Sequence, residues 1–337
     1  MNKEYHLALY RKYRPQTFSD VVGQKQIITL LESSIKQKKI SHAYLFCGGR
    51  GTGKTTVARI FARDIGCNPE DIIEIDAASN RGIDEIRELR DAVRTSPFSS
   101  PYKVYIVDEA HMLTKEAANA LLKTLEEPPP HVIFILATTD PEKLPATIVS
   151  RCQKVIFGSP DLVTLADRLT YVAKEEGVVL PQDAALLIAR HGKGSYRDAL
   201  GVLEQILTTN TNTKTIKLED VMVSLGAPDK SLLIQLLSAF CVHDEQAIVQ
   251  AINSLQKKNS SALTTYDEFI ELIRLGLLLR IGATDLKDEE LETLSKEHAT
   301  SISSKCILYL LEKRHLLEVS ESHAWSAFLA IVLVNEK

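Results

Sequence analysis

The run Gly48-Gly49-Arg50-Gly51-Thr52-Gly53-Lys54-Thr55 constrains this chain more than any other stretch. It follows an apolar segment, Ala43-Tyr44-Leu45-Phe46-Cys47, that reads as a buried strand. It opens into Thr56-Val57-Ala58-Arg59-Ile60-Phe61-Ala62, which carries helical spacing. Strand, glycine-rich loop and helix in that order are the setting in which G-x-x-x-x-G-K-[ST] cradles a phosphate. The glycines let backbone N–H groups converge on one anionic point, and the helix N-terminus adds its positive dipole end. Lys54 is placed to reach the β- and γ-phosphates, and the Thr55 hydroxyl to ligate Mg²⁺. A glycine-rich turn matching by chance is the competing reading, and the flanking strand and helix weigh against it.

The rest of the first half repeats that alternation. A helix-like segment with Ile27, Leu30, Leu31 and Ile35 on one face precedes the loop. Residues 72–76 read as a second strand and 102–109 as a third, ending in Asp108-Glu109. Between them Ile83, Ile86, Leu89 and Val93 recur at helical spacing. Residues 117–127 read as a helix stopped by Pro128-Pro129-Pro130, and 132–137 as a fourth strand running into Thr138-Thr139-Asp140-Pro141. Strands alternating with helices, each strand apolar almost throughout, predict an α/β fold with a parallel sheet covered on both faces. From about Ser159 the pattern turns helical, including 184–191 and a helix starting near Ser195. After Gly226 the helical segments are 232–240, 245–256, 266–281, 304–319 and 324–334.

Charge and cysteine usage narrow the class. Residues 1–63 hold twelve Lys/Arg against three Asp/Glu, whereas 227–337 hold eleven against sixteen. A basic N-terminal region suits polyanionic partners; a solvated face is the plainer alternative. The five cysteines never form C-x-x-C, which argues against a structural zinc site and a disulfide framework and points to a reducing cytosol. The N-terminus lacks the apolar core of a signal peptide, and the apolar runs at 275–281 and 327–334 fall short of the ~20 residues of a membrane helix. The expectation is a cytoplasmic protein with no membrane contact.

Asp108-Glu109 at the end of an apolar strand supplies the other half of a nucleoside-triphosphatase site. One acid can hold Mg²⁺ and the next orient the attacking water. Thr138 and Thr139 end the following strand, where a hydroxyl can meet the γ-phosphate or that water; strand-end capping is the alternative. Ser150-Arg151-Cys152 and Ser195-Tyr196-Arg197-Asp198-Ala199 each offer an arginine beyond the nucleotide core. Arg197 falls in the first turn of a helix capped by Ser195, where a cation opposes the dipole and wants a phosphate to meet.

Over residues 5–226 the chain resembles the gamma/tau subunits of bacterial DNA polymerase III, the AAA+ ATPase motors of the sliding-clamp loader. The matching runs include Tyr13-Arg14-Pro15-Gln16-Thr17-Phe18, Val22-Gly23-Gln24, Glu74-Ile75-Asp76-Ala77-Ala78-Ser79 and Asp108-Glu109-Ala110-His111-Met112-Leu113. The longest is Asn119-Ala120-Leu121-Leu122-Lys123-Thr124-Leu125-Glu126-Glu127-Pro128-Pro129, and Ala137-Thr138-Thr139-Asp140-Pro141 and Ser150-Arg151-Cys152 complete the set. The resemblance implies an AAA+ P-loop core with a parallel sheet at 1–159, a small helical lid at 160–226 and an all-helical collar at 227–337.

Residue by residue, it assigns Lys54 and Thr55 to triphosphate and Mg²⁺, with Thr56 in the same cradle, and Asp108 and Glu109 to metal and water. The first sensor falls in the Thr138-Thr139 pair, the second at Arg197, and an arginine finger acting on a neighbouring subunit at Arg151. By the same resemblance, Arg14, Pro15, Val21 and Val22 would line the adenine pocket, and Arg87 falls where the family has a DNA-contacting arginine. ATP and Mg²⁺ follow as cofactors. The implied partners are delta, delta-prime and further gamma/tau copies, the sliding clamp and primed DNA.

Two departures stand out. Family members usually carry a four-cysteine zinc module where this chain has Cys67-Asn68-Pro69-Glu70-Asp71, so no zinc is expected. The chain also ends after the expected collar, without the long extension of tau forms, as a gamma-length product or a piece of a longer chain. A non-hydrolysing delta-prime-like subunit has a degraded phosphate loop, unlike residues 48–55. Another AAA+ DNA motor, such as a branch-migration helicase, is disfavoured by the collar-like C-terminal helices.

Overall fold

The computed structural model describes residues 7–79, 92–209, 213–258, 260–284, 288–318 and 323–334. By packing, the chain forms two compact units, divided at Leu218/Glu219. The expected lid, 160–226, thus shares its unit with the core as far as Leu218.

The first unit is built on five parallel strands, β1 (Ala43–Gly48), β2 (Ile72–Asp76), β3 (Lys103–Asp108), β4 (Val132–Thr138) and β5 (Gln153–Phe157). Their order in the sheet is β2-β3-β4-β1-β5. The four expected strands are all present. Because both faces are covered, successive residues of one strand enter different cores. Tyr44, Phe46, Ile133 and Ile135 pack on one side, Leu45, Phe134, Leu136 and Tyr105 on the other. Alternate positions are therefore equally apolar, which is why these strands read as continuous hydrophobic runs.

The strand missed by sequence reasoning, β5, is an edge. Val155 and Phe157 are buried, while Gln153, Lys154 and Ile156 face outward. Only three of its five residues are apolar, and one of those, Ile156, faces outward, so no buried apolar run is written there.

Around the sheet lie α1 (Leu9–Lys12), α2 (Lys25–Lys36), α3 (Lys54–Asp64), α4 (Lys115–Glu126) and α5 (Ala146–Val149). On α2, Ile27 and Leu31 are buried, but Leu30 is 42% exposed, contrary to the face assigned from spacing. At 100° per residue Leu30 lies on the opposite flank of Ile27 from Leu31 and Ile35, and Ile28 takes the buried flank instead. Of the helix expected over 83–93, only its end is described: Val93 is buried and Arg94 exposed. Arg87 and Arg90 lie outside the described residues.

Three helices follow the core in the same unit, α6 (Leu162–Glu175), α7 (Gln182–His191) and α8 (Tyr196–Thr209). The starts are written in the sequence. Thr114 accepts the Ala117 N–H at 3.2 Å, Asp161 that of Thr164 at 2.7 Å, and Ser195 that of Asp198 at 3.2 Å. The N-terminal segment belongs to both parts. On the helical side, the Leu9 N–H donates to Glu204 Oε2 at 3.3 Å, and Lys12 Nζ and Tyr13 Oη reach Glu176 Oε1 at 2.7 and 2.5 Å. Five residues after Tyr13, Phe18 is buried in the cluster that packs on the sheet.

In the second unit, all regular structure among the described residues is helical. After α9 (Leu218–Leu225), which begins at the division, come α10 (Lys230–Cys241), α11 (Glu245–Lys257), α12 (Ala262–Arg280), α13 (Glu289–Glu297), α14 (Ser304–Lys313) and α15 (Ala324–Leu333). Asp229, Asp244, Ser261, Asp288 and Ser303 cap five of them. Tyr266, Phe269, Phe240 and Phe328 form the aromatic centre of its core, and Tyr266 Oη donates to the Leu310 carbonyl at 2.8 Å. Among the described residues, no helix is long and apolar enough to cross a membrane.

Candidate nucleotide site

The strand order builds the site. β4 lies between β1 and β3, so the loop after β1 and the acids ending β3 flank the end of β4. The register sets Cys47 beside Thr138 and Val107 beside Leu136, which brings all three strand ends level. Ligands bind beyond the carboxyl ends of such strands. Thr55 Oγ1, on the first turn of α3, donates to Asp108 Oδ2 at 2.7 Å. The expected metal-binding hydroxyl and carboxylate are 53 residues apart in sequence and touch in space.

The loop conformation needs its glycines. Gly51 and Gly53 have φ of 70° and 102°, in the left-handed region that side chains resist. Lys54 is buried, and its Nζ donates to the Gly48 and Gly49 carbonyls at 2.9 and 2.8 Å. Burial lowers the Lys54 pKa, opposed by the charges of Glu109 and Asp108.

Glu109 takes φ of 49°, unusual for a residue with a side chain, and its N–H donates to Asp108 Oδ1 at 3.0 Å. Thr139 Oγ1 donates to Glu109 Oε2 at 3.3 Å. Thr138 is fully buried, and its hydroxyl oxygen lies 2.9 Å from His111 Nδ1. The two threonines therefore face different neighbours: Thr139 meets the acid, Thr138 the histidine.

A cleft of about 670 Å³ opens over the loop. Arg14, Pro15, Val21 and Val22 line it, together with residues 50–57 and Asp108, Glu109 and Arg197. Arg14 Nε donates to Thr56 Oγ1 at 2.9 Å; burial, then the nearby Arg59 charge, lowers its pKa. The Arg197 guanidinium stands 5.8 Å from the centre of the Tyr10 ring. Thr138, Thr139 and Arg151 are not part of the cleft wall. Arg151 instead pairs with Glu126 Oε1 at 2.7 Å and donates to the Thr147 carbonyl at 2.8 Å.

Sequence reasoning missed the closure from the helical side. The Tyr196 N–H donates to the Gly51 carbonyl at 3.1 Å, and Tyr196 Oη to the Val22 carbonyl at 3.1 Å. Arg168 Nη2 donates to the Tyr13 carbonyl at 2.8 Å and also lines the cleft. The only trace of this in the sequence is Tyr196, next to the arginine already singled out.

The chain also matches known protein families. A family model described as "DNA polymerase III, delta subunit" matches residues 23–81 and 70–161. One described as "DNA polymerase III clamp loader subunit, ATPase lid domain" matches 164–211, the segment that closes the cleft. DNA polymerase III subunit tau of Bacillus subtilis is 40% identical over 296 residues, covering 81% of this chain and 52% of that protein. The Escherichia coli subunit tau is 37% identical over 300 residues, covering 83% and 46%. The Mycobacterium tuberculosis subunit gamma/tau is 41% identical over 323 residues, covering 87% and 56%.

The chain belongs to the DNA polymerase III gamma/tau family.

It spans about half the length of these gamma/tau relatives. Among solved structures, the RuvB Holliday junction branch migration motor of Thermotoga maritima matches with a TM-score of 0.53 at 19% identity, covering 79% of this chain and 92% of that one. At that identity the likeness establishes the fold, an α/β AAA+ ATPase type, and nothing about the task of this gamma/tau chain.

Proposed function

We propose that this chain is the ATP-hydrolysing motor subunit of a sliding-clamp loader, using ATP binding and hydrolysis to open the clamp and set it on primed DNA. The observation that carries the reading is the 2.7 Å contact between Thr55 Oγ1 and Asp108 Oδ2 at the mouth of an intact phosphate loop. Two hard oxygens in contact fit Mg²⁺, which takes one or two protein ligands and completes its shell with phosphate and water. When bound there, Mg²⁺ supplies charge neutralisation along the triphosphate.

The protein groups divide the remaining work. Lys54 binds the β- and γ-phosphates, and Arg14, Pro15, Val21 and Val22 hold the base end. Glu109 orients the attacking water. Thr139, bonded to Glu109, is the first sensor of the pair, and Arg197 the second. Arg151 serves a neighbouring subunit's nucleotide. The core (1–159), lid (160–226) and collar (227–337) assignment goes with this reading, as do delta, delta-prime and further gamma/tau copies as partners. The expectation of no zinc at 67–71 goes with the same reading; there the Asp71 carboxylate accepts backbone N–H bonds from Phe98, Ser99 and Ser100 at 2.6, 3.0 and 3.0 Å.

Paired substitutions test the division of labour in the assembled loader. Lys54→Ala abolishes ATP binding, whereas Glu109→Gln binds ATP and fails to hydrolyse it. Equal loss of binding in both would overturn it.

A further inference from the structure

One side chain next to the acids has no role in that scheme. His111 sits in the 3₁₀ turn Ala110–Met112 that leaves β3, and its side chain is only 11% exposed. Its Nδ1 is 2.9 Å from Thr138 Oγ1 and 3.6 Å from Glu109 Oε2. The second distance is beyond hydrogen-bond range, so the working contact is with Thr138. The Thr138 oxygen already accepts the Asp140 N–H at 3.0 Å. A hydroxyl has one proton and two acceptor lone pairs, so this contact forms with either tautomer of the imidazole.

Through this bond the turn after β3 is tied to the end of β4. Glu109 lies two residues before His111, and Thr139, its hydrogen-bond donor, one residue after Thr138. Both members of the Glu109–Thr139 pair are thus indexed to each other by the histidine behind them. We propose that His111 is a positioning residue for hydrolysis, holding the end of β4 against the turn after β3 so that Glu109 and Thr139 meet. The inference rests on the reading of Glu109 as the residue that orients water.

The test uses steady-state ATPase of the assembled loader with primed DNA, beside nucleotide binding by the same complexes. His111→Ala lowers kcat about tenfold, the effect of one hydrogen bond on a barrier, and leaves KM and nucleotide affinity unchanged. His111→Asn, whose amide oxygen falls near the place of Nδ1, restores most of the loss; His111→Gln, which reaches the place of Nε2, does not. Thr138→Val lowers kcat as His111→Ala does, and the double variant falls no further. Wild-type turnover in His111→Ala, equal rescue by Asn and Gln, additive losses in the double variant, or loss of nucleotide binding in step with kcat would each overturn the role. A wild-type complex that binds ATP without turning it over removes the reading of Glu109 itself, and the role of His111 with it.

Discussion

Replacing Gly51 by alanine tests whether the α8 end holds the phosphate loop or merely adjoins it. A Cβ built on Gly51 falls 2.0 Å from Ser195 Oγ and 3.0 Å from Ser195 Cβ, at a φ of 70°. Two costs follow. Holding alanine in the left-handed region costs about 1–2 kcal/mol. Pushing Ser195 away also breaks the Tyr196 N–H to Gly51 carbonyl bond, 3.1 Å long, at about 1 kcal/mol. The sum, about 2–3 kcal/mol, corresponds to a loss of about 30–150-fold in nucleotide affinity if the bound state needs this geometry. Gly53 is the internal control. It has φ of 102°, but nothing lies within 4 Å of its added Cβ. Gly53→Ala therefore bears strain alone, about 5–30-fold. Titration of a fluorescent ATP analogue, with thermal melts to exclude unfolding, measures both. Adding Ser195→Gly to Gly51→Ala removes the colliding atoms and costs the α8 cap only a few tenths of a kcal/mol, so affinity returns toward the Gly53→Ala level. Equal losses in Gly51→Ala and Gly53→Ala, with no recovery in the double variant, would refute the reasoning.

Arg151→Ala breaks an ion pair with Glu126 and a hydrogen bond to the Thr147 carbonyl, both outside the cleft wall, so nucleotide binding by the isolated chain stays intact. ATPase of the assembled loader falls ~10³-fold, and a monomer with full activity insensitive to the change would refute action in trans. For Asp71, burial raises the pKa, but the backbone bonds of Phe98, Ser99 and Ser100 outweigh it and hold it below the usual carboxylate range. A depressed folded-state pKa stabilises above the unfolded value and the gain is lost as pH falls. Urea midpoints of wild type and Asp71→Asn therefore differ at pH 7 and converge below about pH 4. Arg87→Ala weakens stimulation of the ATPase by primed DNA without altering ATP binding, and flattens the log–log salt dependence of duplex binding by about 0.9.

What could be read beforehand divides along a physical line. Residues 48–55 and Asp108-Glu109 were legible because their chemistry is carried by contiguous residues at fixed offsets. Four strands were legible because burial on both faces writes a continuous apolar run. β5 was not, since an edge strand buries only Val155 and Phe157. The direction of Thr138 and Thr139 depends on the register of β4 against β1 and β3, which two adjacent, chemically identical residues cannot encode. The bonds from Tyr196 to Gly51 and Val22, and from Arg168 to Tyr13, join residues 145 or more apart through backbone carbonyls. A carbonyl acceptor leaves no mark on residue identity, so half of the cleft's closure has no signature in the chain.

The N-terminal segment turns that closure into a matter of leverage. Up to Tyr13 it is fastened to Glu204 on α8 and to Glu176 just past α6, and from Phe18 it is sunk into the core. Any change in the angle between those helices and the sheet must be taken up within the residues between these anchors. Pro15 fixes one φ in that span, and Arg14 is bonded to Thr56 at the root of α3. Arg14 and Pro15 also line the cleft. A ligand seated in the cleft would therefore touch the pivot itself, at the same two residues that join the helical side to the core.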